Sequence, residues 1–435
     1  GDPFNVSANT GGGVTLETSD LYLYDSFVLN NIAVDDGGGV YAFDRSIIEL
    51  HGVSTIGFPA GLGNRANDGA GLYLSDTTLD LYGESFVGYN GANEFGGGLY
   101  ATDESVATLH DADTGIYSNT AQFGGGAYVT GSNSSLILQD GSVEGNQALD
   151  PSEVANGGGA YVTGEALIYA GAADIARNSA EFFGGGVYIA QDGVTGPTDL
   201  LFANGTRVES NFAEFGGGLY LAEDGSRATL DNAELQANIA FTTGGAIRVF
   251  GDSELSLENG TMISGNVATY GGGLAIRDGS VAVPFSTVYA NEAIRNGGGI
   301  YQTGGDLSAF ETLILGNRAE EGGGLYLYGA TAVLTSAEVT ENSAGRTGGG
   351  IAAVANSELH MTADPFCLSR PYRLPVHRYC SEVVYNDAQT QGAGVYVEGS
   401  RAYFTTTAFF GNEGKSNAGS SGAALYAGPF ADVSA

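Results

Sequence analysis

The chain has 435 residues, of which 72 are glycine and none tryptophan, and 15 basic against 50 acidic side chains give it a net charge of −35. That charge argues against DNA or RNA as a partner, because a nucleic-acid surface has to be basic. At 43% hydrophobic the chain is too apolar for acidic disorder, and no run approaches the ~18 apolar residues of a membrane-spanning helix.

From the N-terminus onward, glycine triplets punctuate the chain. They start at Gly11, Gly37, Gly96, Gly124, Gly157, Gly184, Gly216, Gly271, Gly297, Gly322 and Gly348, with degenerate copies at Gly69, Gly244, Gly392 and Gly422. A unit of about 27 residues repeated fifteen times marks a solenoid, not several domains. Each unit has a fixed order. After the glycines comes apolar–Tyr–apolar, as in Val187–Ile189 and Leu219–Leu221. A turn such as Asp278-Gly279-Ser280 leads to a second alternating run, as in Leu136–Leu138 or Leu255–Leu257. A third run carries an aliphatic residue (Val28, Ile116, Val143, Ile175) three positions before Asn-x-Ala, which recurs from Asn31 through Asn119 and Asn266 to Asn386.

Period-two alternation without helical periodicity predicts three short strands per unit. The expected fold is all-β: one right-handed parallel β-helix of about fifteen three-strand rungs, a single domain over residues 1–435. Alternation along the strand turns the flanking aliphatics inward and the tyrosine outward. Glycine is expected where the chain turns tightly and rungs approach closely. Asparagine, which tolerates the left-handed conformation, is expected to bond its neighbours in adjacent rungs.

The paired signature resembles the repeat of the chlamydial polymorphic outer-membrane proteins, whose hallmarks are GGA followed by an aliphatic residue, and FxxN. Gly244-Gly245-Ala246-Ile247 and Phe409-Phe410-Gly411-Asn412 match it literally. Elsewhere a third glycine replaces Ala, and Val, Ile or Leu replaces Phe. The resemblance runs from Gly11 to Tyr426 and implies an exported, surface-exposed β-helix, which in that family serves adhesion. Those proteins carry a membrane β-barrel after the repeats, and this sequence does not include one.

Several features bear on function. Carboxylates stand before the glycines at Asp35-Asp36, Asn67-Asp68 and Glu320-Glu321, where Ca²⁺ could bridge rungs. The GGxGxDxUx calcium repeat is absent, so no cofactor is expected, and solubility of a long acidic solenoid explains the charge more simply. Tyr41, Tyr73, Tyr100, Tyr128, Tyr161, Tyr188, Tyr220, Tyr301, Tyr326, Tyr396 and Tyr426 occupy the outward position, which Thr15, Arg248, Ala275 and Ala352 take in the remaining units. They would form an exposed aromatic ladder, either stacking to stabilise the sheet or serving as a sticky stripe for a glycan or a surface. His51, His110, His360 and His377 share no common position, and no nucleophile elbow, HExxH or P-loop is present, so no enzyme activity is expected.

Cys367 and Cys380 fall in one long interval and suggest a disulfide-closed loop inserted at about 364–382, formed in an oxidising compartment. The loop carries Arg370, Arg373, His377 and Arg378, a basic knob suited to an acidic partner. Finally, the ends resemble each other: Phe4 and Val6 lie in a segment similar to that holding Phe430 and Val433. A rung begun at one end could be continued by the other end of the next molecule, and such an open, heterologous contact polymerises.

The sequence therefore predicts a non-enzymatic extracellular or cell-surface structural protein with no membrane span, stacking head-to-tail with itself into a filament. The alternatives are an adhesin or passenger-type domain binding glycans or host surfaces and, more remotely, a polysaccharide lyase or hydrolase.

Overall fold

The computed structural model describes residues 8–150, 154–191, 196–222, 225–363, 380–415 and 422–434, and every regular element among them is a β-strand. Parallel strands stack as a β-solenoid of about fifteen turns, distributed over two compact units, Gly1–Ala228 and Thr229–Ala435.

In the first unit, consecutive turns pair in register. Leu72-Tyr73-Leu74 lies on Leu99-Tyr100-Ala101, and that on Ala127-Tyr128-Val129. The second strands repeat the pattern, with Leu79 and Leu81 facing Ala107 and Leu109. The third strands align Val87 with Ile116 and Ile116 with Val143. The second unit has the same ladders, for instance Leu325-Tyr326-Leu327 over Ile351-Ala352-Ala353. A short fourth ladder follows the asparagine: two residues long at Thr120–Ala121, and five at Glu292–Asn296. This fourth segment goes beyond the three strands of the sequence reading.

Alternation places the aliphatics inward, where Leu72, Leu74, Leu79, Leu81, Val87 and Ile116 are all buried. Each contributes roughly 1.5–3 kcal/mol by leaving water. The alanine of Asn-x-Ala packs in columns of its own, Ala148 with Ala180 and Ala213, and Ala344 with Ala388. Its small side chain lets the fourth segment run close to the glycine corner.

The three glycines have separate reasons. The first has a positive φ in all fifteen units, +61° at Gly96 for example, a region that costs other residues a Cβ clash. The second and third lie under the next rung. A Cβ on Gly97 would come within 2.4 Å of the carbonyls of Gly125 and Thr120, and one on Gly98 within 2.7 Å of the Asn119 amide.

The asparagines form a buried ladder inside each unit. The backbone N–H and Nδ2 of Asn90 both donate to Oδ1 of Asn119, which in turn donates from the same two groups to Asn146. The second Nδ2 hydrogen reaches back to the aliphatic carbonyl of the preceding rung: Asn119 to Val87, Asn146 to Ile116. Each interior amide thus accepts two bonds and donates two, which is what its burial demands. Asparagine bonds its neighbours in adjacent rungs as expected, but it does not use its tolerance of the left-handed conformation here. That role falls to the residue before it, Tyr89, Ser118, Arg177, Ala290 or Glu341, leaving the asparagine free to point inward.

Candidate functional site

The tyrosines do stack in register, but they are not an exposed stripe. In the first unit Tyr41, Tyr73, Tyr100, Tyr128 and Tyr161 follow one another at centroid distances of 5.1, 4.6, 5.2 and 4.9 Å, and Tyr188 and Tyr220 continue at 4.7 and 5.5 Å. Tyr128, Tyr220, Tyr326 and Tyr396 are buried, and the other seven are half-buried. Phenylalanines placed just before the glycines roof them. Phe95 lies 4.8 Å from Tyr128, Phe123 5.8 Å from Tyr161 and Phe183 4.7 Å from Tyr220. The sequence reading missed this because "outward" on the strand means outward from the core, and the roofing ring comes from the adjacent corner. From Tyr41 to Tyr161 the rings are stacked within 26° of parallel and cover one another's faces. Stacking, not a sticky stripe, is the role this geometry supports.

Where the ladder lacks tyrosine, neighbours close the gap. Tyr270 comes within 5.3 Å of Tyr301 beside Ala275, and Tyr326 and Tyr396 pack around Ala352. The Arg248 and Arg277 guanidinium groups lie 5.6 and 5.3 Å from the Phe250 ring.

Burial makes the phenols reluctant acids. It pushes Tyr100 and Tyr326 up to about 12, helped by Asp68 and Asp103 at Tyr100 and by Glu321 at Tyr326. Burial also raises Tyr73, and raises Tyr396 together with its bond to Glu398. The folded state holds these protons more tightly than the unfolded chain, where tyrosine titrates near 10. Their contribution is therefore complete below about pH 10 and is lost as pH rises from there through about 12. Phenolate absorbance is expected to show a late-titrating class whose ionisation accompanies unfolding. Titration of all 24 tyrosines in one step near their ordinary value, with the fold intact, would contradict the packing.

A second aromatic column was missed in the sequence. Tyr24, His51, Tyr82 and His110 stack at 4.7, 5.0 and 4.3 Å with ring planes within 8°. His51 shares a 2.8 Å hydrogen bond with Glu49, and His110 a 2.7 Å bond with Asp80. Two histidines thus share one position after all, whereas His360 sits in another column, stacked on Tyr403. The available signal was an aromatic residue directly after the last inward leucine of the second strand: Leu50-His51, Leu81-Tyr82, Leu109-His110. Counted from the first glycine of the unit, His51 follows Gly37 and His110 follows Gly96 by the same 14 residues.

At the acidic corners, Asp36 and Asp68 are partners in adjacent rungs. Burial pushes the Asp68 carboxyl up to about 6, with Asp36 and Glu94 adding to the rise against a hydrogen bond from the Phe95 N–H. Burial, with Asp35 beside it, also raises Asp36. At the other corner Arg346 pairs with Glu321 at 3.0 Å and lies 3.9 Å from Glu320, so a guanidinium meets these carboxylates. Among the described residues no group of three or more His, Cys, Asp or Glu is placed to hold a metal ion.

The remaining sequence candidates divide. Cys367, Arg370, Arg373, His377 and Arg378 lie outside the described residues, and with them the proposed pairing of Cys367 with Cys380; Phe4 and Val6 do too. Phe430 and Val433 are described. Val433 pairs with Ala402 in the last rung and is half-buried, and Phe430 is 96% exposed.

No protein-family model, curated protein or solved structure matches this chain. Kinship with the polymorphic outer-membrane protein repeat is accordingly a proposal resting on the two motifs themselves.

Proposed function

We propose that this chain is a non-enzymatic extracellular structural protein that elongates by stacking, with a second copy adding its first rung to the exposed edge of the last. One observation carries the reading. Val395, Ala402 and Val383 are fully buried, while Leu425, Val433 and Phe409, at the same positions one rung later, are only half-buried. Elsewhere in the stack the next rung supplies that cover. Phe410 and Phe430 add exposed apolar surface to the same rung. A half-buried parallel rung of this kind fits another parallel rung laid on it, in the present reading that of a second copy, in backbone pairing as well as apolar area. Location outside the cell rests on the repeat motifs and on the spacing of the two cysteines. The reading uses no metal and no cofactor.

Electron microscopy of the purified chain across a concentration series tests the proposal. Filaments that lengthen with concentration are expected, and Val433→Lys, which sets a charge on the stacking edge, should abolish them. Monodisperse particles at every concentration would refute self-assembly. Release of sugars from polysaccharide would favour the remote alternative, a lyase or hydrolase.

A further inference from the structure

The third face of the first unit differs from the rest of the molecule in charge. In a chain at −35, the segments that build this face over four successive rungs, residues 26–31, 52–64, 85–90 and 114–119, contain no charged residue, and Arg65 stands at their edge, paired with Ile32 and Gly91. The boundary is sharp. The following rungs carry Glu144, Asp174, Arg177, Arg207 and Glu209, tied into ion pairs such as Arg207–Asp174 at 2.8 Å.

On the charge-free part, large apolar side chains face solvent. Phe27 is 56% exposed and Phe58 39%, and Val53, Leu62 and Tyr89 are also exposed. The rings here are not piled face to face. Phe58 meets Phe86 at 82° and Tyr89 at 53°, and Phe86 meets Tyr117 at 54°, with centroids 5.5–5.7 Å apart. In the tyrosine ladder the rings from Tyr41 to Tyr161 lie within 26° of parallel, and only further on do they tilt, to 51° between Tyr161 and Tyr188. The outward loop at 57–63 that presents Phe58 is pinned at both ends. Gly57 N–H donates to the Val28 carbonyl at 2.8 Å, and the Leu62 carbonyl accepts from Asn30 N–H at 2.8 Å. The surface is thereby ordered before any ligand arrives, which lowers the entropy cost of binding.

We propose that this face is a binding platform for a neutral polysaccharide chain. Phe27, Phe58 and Tyr89 leave ring surface in solvent for the C–H face of a sugar, and exposed apolar patches of this kind mark interaction sites. The charge pattern selects the occupant. An acidic glycan would approach against the field of −35, and the carboxylate that borders the patch, Asp25, already accepts from the Val53 N–H at 3.1 Å. An uncharged ligand meets an uncharged surface. Polar contacts remain at its rim, where the Tyr117 hydroxyl lies 3.0 Å from that of Ser142. A sugar residue in an extended glycan is close to one rung in length, so a glycan running along the stack would meet one rung per residue.

The test is electrophoresis of the full chain through gels cast with hydroxyethylcellulose, glucomannan or dextran, against gels cast with pectate. Retardation by at least one neutral polymer and none by pectate is expected. Phe58→Ala and Tyr89→Gly should each weaken it at least about tenfold, the loss typical of a central aromatic contact. Glycine at 89 suits the positive φ of 63° there, so the second variant removes the ring without straining the fold. Tyr328→Ala, which removes an exposed tyrosine of the second unit, should leave binding unchanged. The proposal fails if no neutral polymer retards the chain, if both variants bind like the parent, or if pectate retards it equally. It fails also if the variants abolish self-association instead, which would make the face a contact between copies. Filament formation and glycan retardation are read separately, so either can fail alone.

Discussion

Asn119→Ala is expected to destabilise the solenoid by about 4 kcal/mol, since each buried group left without a partner costs about 1–3 kcal/mol. The alanine removes the Oδ1 that accepts from both the backbone N–H and Nδ2 of Asn90, and it removes the donor that the Val87 carbonyl receives. Water has no easy access, because Asn90, Asn119 and Asn146 are all buried. The loss should be local in the first instance, since a solenoid turn is stabilised by its immediate neighbours. Amide exchange is therefore expected to show lost protection around residues 87–146 before the denaturation midpoint of the whole chain shifts. Thr120→Ala, one residue on and exposed, should stay within about 0.5 kcal/mol of the parent. Equal effects of the two substitutions would mean that the ladder contributes little.

Gly96→Ala should cost about 3 kcal/mol, about 1–2 kcal/mol from the left-handed backbone alone and the rest from contact. At φ +61° a Cβ would lie 2.3 Å from the Leu99 carbonyl, which belongs to the same turn and cannot retreat independently. Gly97→Ala should cost less, although its Cβ would also crowd two carbonyls. Ala70 and Ala393 occupy the second position naturally and are buried there, so a small local opening between rungs accommodates a methyl group. The first position is glycine in every unit. Denaturant midpoints of the two variants check the order, and a larger loss for Gly97→Ala would place the constraint in rung spacing rather than in φ.

Much of the architecture was legible along the chain because a solenoid repeats its physics. The inward aliphatics, the glycine corners and the asparagine column each recur at one phase of a 27-residue period, and parallel in-register stacking turns phase into position. Asn-x-Ala announced both the ladder and the small-residue column behind it. The residue that turns left-handed at that corner was not legible, because a sequence shows which residue tolerates such a turn and not which one must make it. Ser118 and Glu341, unremarkable as residues, take that strained position so that Asn119 and Asn342 can turn their amides inward.

The candidate sites were less legible, for a related reason. Exposure depends on neighbours contributed by other corners and other rungs. Phe95 and Phe183 lie far along the chain from Tyr128 and Tyr220, yet they roof them, and so an outward tyrosine becomes a buried one. His51 and His110 stand at one phase of the repeat, 14 residues after Gly37 and Gly96, but the Tyr82 ring that joins them into a column comes from the rung between.

By itself the sequence determined the repeat, the all-β character and the identity of the core, because period-two alternation and a fixed turn spacing leave a chain few other ways to bury its apolar residues. Only the tertiary structure decided which aromatic faces are occupied and which stay open. Stacking angle and burial are properties of side chains from different turns meeting in space: the tyrosine ladder is largely covered, while Phe58 and Tyr89 remain exposed to solvent.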